Sequence, residues 1–222
     1  MANSQSHNNE WAELRRNMID RHIRPRGVQD ERVLAAIRRT PREIFVPESL
    51  RASAYEDRAL PVGHGQTISQ PYIVAYMTEQ LAPTEGCRVL EIGTGTGYQT
   101  ALLAALCKEV FTVERIEALQ REATARLTSL GVTNVHPSIG DGSVGLPEFA
   151  PYDRILVTAA APRVPAKLVS QLADDGRLVI PVGGRHEQTI VRVVRLGSRH
   201  VETPLLACRF VKLIGQDAWT TA

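Results

Sequence analysis

The chain has 222 residues, 26 Lys plus Arg against 24 Asp plus Glu, and 43% hydrophobic content, which excludes extensive disorder and leaves enough chain for a substantial core. The net charge of +2 with dispersed basic residues gives no reason to expect nucleic acid or an anionic membrane as partner. The nearly uninterrupted apolar stretch at residues 155–161 is far short of the ~18–20 residues of a membrane span, and the polar start of the chain does not read as a secretory signal, so a cytoplasmic protein with a frayed N-terminal tail is expected.

Residues 11–39 have a helical pattern, with Leu14 and Met18 near one face and Val33, Leu34 and Ile37 following Asp30, a plausible cap. Pro41 ends this stretch. Residues 44–66 contain Pro47, Pro61, Gly63 and Gly65 with little periodicity, a long irregular connection of the kind that is usually functional. Ser69-Gln70-Pro71 then opens a helix that carries Ile73, Val74, Met77 and Leu81 on one side.

After Pro83 short apolar strands alternate with amphipathic helices, the signature of a parallel sheet covered on both faces. Strands are expected at 88–92, 109–113, 135–139, 154–158 and 177–181, with helices at 98–106, 116–130 and 165–172 between them. Two further strands, 189–196 and 205–213, have only a polar turn between them and read as an antiparallel hairpin. The expected fold is therefore α/β: a doubly wound, mostly parallel seven-stranded Rossmann-like sheet with an N-terminal helical extension. The division falls near residue 85, with an N-terminal segment 1–84 and a core 85–222. Cys87, Cys107 and Cys208 form no Cys-x-x-Cys pair, so free, at least partly buried thiols are expected, with neither a disulfide framework nor a zinc site. The histidines are scattered, and His64 reads as a loop residue or pocket wall. No metal site is expected.

The strongest local signal is Val89-Leu90-Glu91-Ile92-Gly93-Thr94-Gly95-Thr96-Gly97-Tyr98, a strand that runs into a glycine loop and then a helix. Glycine there lets the backbone turn tightly and approach a ligand. The dinucleotide spacing Gly-x-Gly-x-x-Gly is missed in both registers, because Tyr98 and Thr100 stand where the third glycine belongs. An oxidoreductase using a nicotinamide cofactor is thereby disfavoured, and an adenosine ligand without phosphates is favoured. Glu114, at the end of the next strand, is placed to accept from ribose hydroxyls. Asp141-Gly142 is the matching place for a carboxylate to take the adenine amino group, although it also has plain turn chemistry.

Together with Tyr55-Glu56-Asp57-Arg58-Ala59-Leu60-Pro61, Gly63-His64-Gly65-Gln66-Thr67-Ile68-Ser69-Gln70-Pro71, Thr158-Ala159-Ala160-Ala161-Pro162 and Gly176-Arg177-Leu178-Val179-Ile180-Pro181, these residues resemble the protein L-isoaspartyl O-methyltransferases. The resemblance covers about residues 11–219. It implies that S-adenosyl-L-methionine is the cofactor, that Ser69 is the active-site serine, and that Gln70, Pro71, Tyr72 and Ile73 help wall the cofactor. It also implies that Gly93, Gly95, Glu114, Asp141 and Gly142 bind it. Without the resemblance, Ser69 reads as a helix-start hydroxyl with a structural job.

The implied activity is methylation of the free carboxylate of L-isoaspartyl residues in peptides and proteins, by a monomer. A carboxyl of pKa about 4 is already ionised at neutral pH, so the acceptor needs no base. Its attraction to a sulfonium is on the order of 4 kcal/mol at 4 Å in a partly screened site, and the enzyme's task is alignment. Where the family pattern reads Phe-Val-Pro-Leu, this chain has Phe210-Val211-Lys212-Leu213. That departure keeps two rivals open, a relative that methylates an ordinary aspartate in one peptide partner and a non-catalytic S-adenosylmethionine-binding protein.

Overall fold

A computed structural model describes residues 2–220, with the side chains of residues 2–8 left out of the description. The first helix, α1 (Ala2–Met18), starts well before Trp11, so residues 2–10 are helical where a frayed tail was expected, and Met1 lies outside the described residues. A polar run has no apolar stripe to betray a helix, yet propagation from a formed turn is easy. A π-turn (Ile19–Ile23) and a 3-10 turn (Arg24–Arg26) lead to Gly27, whose φ of 94° stops the helix. The next helix, α2 (Glu31–Arg39), is capped by Asp30, whose carboxylate accepts from Arg32 N at 2.8 Å.

The irregular connection contains two 3-10 turns (Arg42–Phe45, Glu48–Ser53) and a small antiparallel hairpin, β1 (Leu60–Gly63) with β2 (Gln66–Ile68). Strands this short offer too little alternation to be read from sequence. Their turn is set by Gly63, His64 and Gly65, all at positive φ. Helix α3 (Pro71–Leu81) follows as expected.

The core then runs β3 (Arg88–Ile92), α4 (Tyr98–Ala104), β4 (Glu109–Glu114), α5 (Glu117–Ser129), β5 (Val135–Ile139), β6 (Tyr152–Val157), α6 (Ala166–Ser170), β7 (Leu172–Gly183), β8 (Gln188–Leu196) and β9 (Arg199–Cys208). Its seven strands lie in the order β5-β4-β3-β6-β7-β8-β9. The pairs from β5 to β7 are parallel, and β8 and β9 add antiparallel neighbours at one edge. The expected seven-stranded doubly wound sheet is therefore present, and the order of its last two strands follows the chain.

The second hairpin strand is displaced from 205–213 to Arg199–Cys208. The exposed residues 199–202 pair their backbone with β8 at the sheet edge, while residues 210–213 leave the sheet to cross its end. Likewise α6 is shorter than 165–172 because β7 begins at Leu172.

Period-two alternation sends successive strand residues to opposite faces. Val89, Val110, Leu156, Val179 and Ile190 join a cluster that includes Met18, Leu34, Phe45, Leu60, Ile73 and Leu81 of the N-terminal segment. Leu90, Ile92, Phe111, Val113, Ile155 and Leu178 join a second cluster with Leu168 of α6. Cys87 and Cys107 are buried and Cys208 is half-buried, all free thiols.

One polar island interrupts the first face. Glu91 is fully buried, and its Oε2 accepts from Thr100 Oγ1 and Thr112 Oγ1, each at 2.6 Å. Thr112 Oγ1 in turn lies 2.6 Å from Thr94 Oγ1, which donates to Gln120 Oε1 at 2.9 Å. The island therefore reaches from the sheet interior to the glycine loop. Burial pushes the Glu91 carboxyl up from 4.5 to about 7, against the two threonine hydrogen bonds that favour the anion.

The folded protein keeps this proton at pH values where the unfolded chain has already released it. Stability therefore falls as pH rises from about 4.5 to about 7, by about 3 kcal/mol, and levels off above. Glu91→Gln should remove that part of the pH dependence. Denaturant titrations at pH 5 and pH 8 should show the variant gaining about 2–3 kcal/mol relative to the native chain, and a pH-independent difference would assign the slope to other groups.

Candidate active site

The order of the sheet reverses between β3 and β6, where chain connections leave in opposite directions and a crevice opens at the strands' carboxyl ends. A cavity of about 370 Å³ occupies this crevice, within the range of small-molecule sites. Ser69, Ile73, Gly93, Gly95, Glu114 and Gly142 all line it. Val74 and Met77 of α3, Thr158 after β6 and residues 210–214 also line it.

The loop after β3 is fixed from two sides. Gly93 has φ 94°, and a Cβ there would lie 2.4 Å from Thr158 Oγ1. That hydroxyl is in turn bonded to the carbonyls of Ile92 and Gly93 at 3.0 and 2.7 Å. On the other side Glu114, only 6% exposed, accepts from Gly95 N through Oε2 and from Ile116 N through Oε1, both at 3.0 Å. A carboxylate has about four acceptor sites, so two remain for ligand hydroxyls.

Ser69 lies just before the N-cap of α3, which is Gln70, and the helix start has no side-chain cap bond. The structural job suggested by the sequence alone is therefore absent. Its hydroxyl has no hydrogen-bond partner among the described residues, and Ser69 lines the cavity together with the glycine loop. What positions it is Arg42, a fully buried arginine. Arg42 Nη2 donates to Ser69 O at 2.7 Å and Nε to Ala54 O at 2.8 Å, with the guanidinium 4.9 Å from the Tyr98 ring centroid. Burial lowers its pKa from the ordinary guanidinium value. Nothing in the sequence around Arg42 marks it, because its partners are backbone carbonyls distant along the chain.

Gln70, Pro71 and Tyr72 do not line the cavity. Gln70 Nε2 donates to Asp57 Oδ2 and Asp57 O at 2.8 and 2.9 Å, and Tyr72 N donates to Asp57 Oδ1 at 3.3 Å. Tyr72 lies beneath the Arg26 guanidinium, 3.4 Å from its ring centroid. These residues hold the wall and do not form it. His64 is exposed at the tip of the hairpin.

Asp141, expected at the adenine, does not itself line the cavity, and its carboxylate is engaged by protein groups. Its Oδ1 accepts from Ser143 N and Oγ at 2.9 and 2.7 Å, and its Oδ2 accepts from Gln216 N at 2.8 Å. Backbone approaches so closely here that a Cβ on Gly215 would lie 1.9 Å from Asp141 Oδ1. The C-terminal tail is thus docked on the loop after β5. A second anchor is Ala160, whose N donates to Val211 O at 2.7 Å and whose O accepts from Leu213 N at 2.8 Å. Only in this crossing do residues 210–214 become part of the site.

A glycine loop at the switch point, an acidic residue closing the next strand and a cavity without phosphate-binding spacing define the class of S-adenosylmethionine-dependent methyltransferases. The family model for protein-L-isoaspartate(D-aspartate) O-methyltransferase matches residues 13–218. The protein-L-isoaspartate O-methyltransferase of Methanoregula boonei is 53% identical over 205 residues, 92% of this chain and 94% of that protein. That of Roseiflexus castenholzii is 56% identical over 209 residues, 93% of this chain and 94% of that protein. A solved protein-L-isoaspartate O-methyltransferase structure superposes with a TM-score of 0.81 at 31% identity, over 93% of this chain and 66% of that one. The chain belongs to the protein-L-isoaspartate(D-aspartate) O-methyltransferase family.

Arg42→Lys keeps the charge but cannot bridge the carbonyls of Ala54 and Ser69 at once. One carbonyl then loses a charged hydrogen bond, with an expected cost of about 2 kcal/mol in denaturant titration and a fall in turnover larger than any fall in cofactor affinity. Unchanged stability and turnover would show that Ser69 is positioned without it.

Proposed function

We propose that the chain is a repair methyltransferase that moves a methyl group from S-adenosyl-L-methionine to the free carboxylate of L-isoaspartyl residues in peptides and proteins. The observation that carries this reading is the free Ser69 hydroxyl on one wall of a cavity whose other wall is the glycine loop and Glu114, in a chain of this family. The residues fit the cofactor: Glu114 keeps acceptor capacity for ribose hydroxyls, Gly93 and Gly95 keep the loop free of side chains, and Gly142 and Ile73 wall the cavity. Asp141 acts one step back, holding the loop and the tail. Bound there, the cofactor supplies a sulfonium methyl that an already ionised carboxylate can accept. The chain's own work is then to align and to exclude water. Ser69 donates to the acceptor carboxylate, while residues 65–68 of the hairpin and 210–214 of the tail complete the lining around it.

The cytoplasmic, monomeric assignment and the lack of a nucleic-acid partner are part of this proposal, and the near-neutral charge supports the last of them. Among the described residues no helix is long and apolar enough to cross a membrane. The N-terminal segment 1–84 and the core 85–222 act together in it, since both contribute walls of one cavity.

Incubation with labelled S-adenosylmethionine and paired isoaspartyl and aspartyl peptides should label the isoaspartyl peptide alone. Label in the aspartyl peptide alone would support the specialised relative, and label in neither the binding protein. Glu114→Ala should weaken S-adenosylhomocysteine binding by roughly 1.5–4 kcal/mol, read by calorimetry, because ribose contacts and the clamp on Gly95 go together. A change below twofold would remove Glu114 from the site. Ser69→Ala should lower turnover at least tenfold, about 1.4 kcal/mol, with cofactor affinity nearly retained. The opposite pattern would place Ser69 at the cofactor.

A further inference from the structure

We infer that Lys212, with Arg185, forms a rim that binds a second carboxylate of the substrate, so that isoaspartyl sites with an acidic neighbour or a nearby chain end are preferred. The inference rests on the repair reading above and names the substrates that site would favour. Lys212 lines the cavity at the tail crossing, and its side chain is exposed. Its backbone is fixed by the hydrogen bonds of Val211 and Leu213 to Ala160. In an extended segment neighbours point to opposite sides. Val211 and Leu213 pack on the second hydrophobic cluster, which directs Lys212 away from it.

The Lys212 ammonium lies 5.9 Å from the ring centroid of Trp219, and the Arg185 guanidinium carbon lies 5.8 Å from the same centroid. Trp219 is itself tied down, its N donating to Leu213 O and its O accepting from Gly215 N, each at 3.0 Å. Two cations therefore share one fixed indole. They come from separate parts of the chain, the β7–β8 loop and the tail.

No carboxylate among the described residues neutralises them. Asp217 pairs with Lys167 at 3.6 Å, Glu114 is engaged by Gly95 and Ile116, and Asp141 by Ser143 and Gln216. Glu187, beside Arg185, is exposed and makes no ion pair. An indole face attracts each cation but does not cancel their mutual repulsion, whereas an anion bridging them would. Arg185 is not among the residues that line the cavity, and Ser69 is assigned to the methyl acceptor, so the carboxylate that both cations meet is a second one. It is one presented by the flanking peptide, either an Asp or Glu side chain or the terminal carboxylate.

The test is steady-state methylation of synthetic isoaspartyl peptides that carry Glu or Gln beside the isoaspartyl residue, on either side, with free or amidated C-termini. For the native chain, KM should be about three- to tenfold lower for a peptide with the extra carboxylate, as expected for an exposed ion pair with two cations. High salt should erase the difference. The preference should vanish in Lys212→Met, invert in Lys212→Glu and return in Lys212→Arg. A merely structural clamp on Trp219 would change all peptides alike and leave their ratio intact. A preference that follows the Glu/Gln exchange assigns the rim to side chains, and one that follows amidation assigns it to chain ends. A native KM ratio within twofold for every pair, or a ratio that survives Lys212→Met, overturns the rim while leaving the repair reading standing. Failure to methylate any isoaspartyl peptide overturns both.

Discussion

The carboxylate of Glu114 fastens the loop after β3 to the turn after β4, and the floor of the cavity depends on that bond pair. Two loops leaving adjacent parallel strands would otherwise splay apart or collapse into the crevice. Buried beside the sheet, the carboxylate is stabilised by two backbone N–H groups that would themselves lack partners without it. The same group thus shapes the site and supplies its polar end. Beneath it, the Glu91, Thr112, Thr94 and Gln120 chain of hydrogen bonds ties the loop to the sheet interior. It does so with a carboxyl that burial favours in its neutral form at mildly acidic pH.

The opposite wall is built by different means. A fully buried guanidinium is costly unless its donors are used, and Arg42 spends two of them on the carbonyls of Ala54 and Ser69. Such an arrangement holds a short connecting segment to within a hydrogen bond's tolerance. Asp57 does the equivalent at the start of α3, where it engages Gln70, Tyr72 and Arg26. The third wall, the tail, is held by Asp141, Ser143 and Ala160. Three stretches far apart in the chain meet around one ligand volume, each anchored by a polar group bonded mainly to backbone.

Much of this was legible beforehand. Strands β3, β4, β6 and β7 announce themselves because interior strands buried on both faces read as apolar runs, and the glycine loop because no other residue permits that turn so close to Thr158. Glu114 and Gly142 could be placed from the strand ends alone. The β1–β2 hairpin was hidden, since two strands of four and three residues carry no measurable period. The edge strand β9 was misplaced because an exposed strand imposes little on its residues, while the apolar Phe210 and Leu213 looked like sheet and in fact pack across its end.

The sequence by itself determined the layered sheet, the position of the cleft and the resemblance that identifies the chemistry. Those follow from local rules, the period of burial and the stereochemistry of glycine, which act within a few residues. Only the tertiary structure decided which polar side chains serve the ligand and which serve the wall. Asp141, Gln70 and Arg42 are chemically suited to either task, and the choice turns on whether a distant backbone group arrives to occupy them. It decided also that Lys212 stands on the rim beside Arg185, because the tail crosses the sheet end at Ala160.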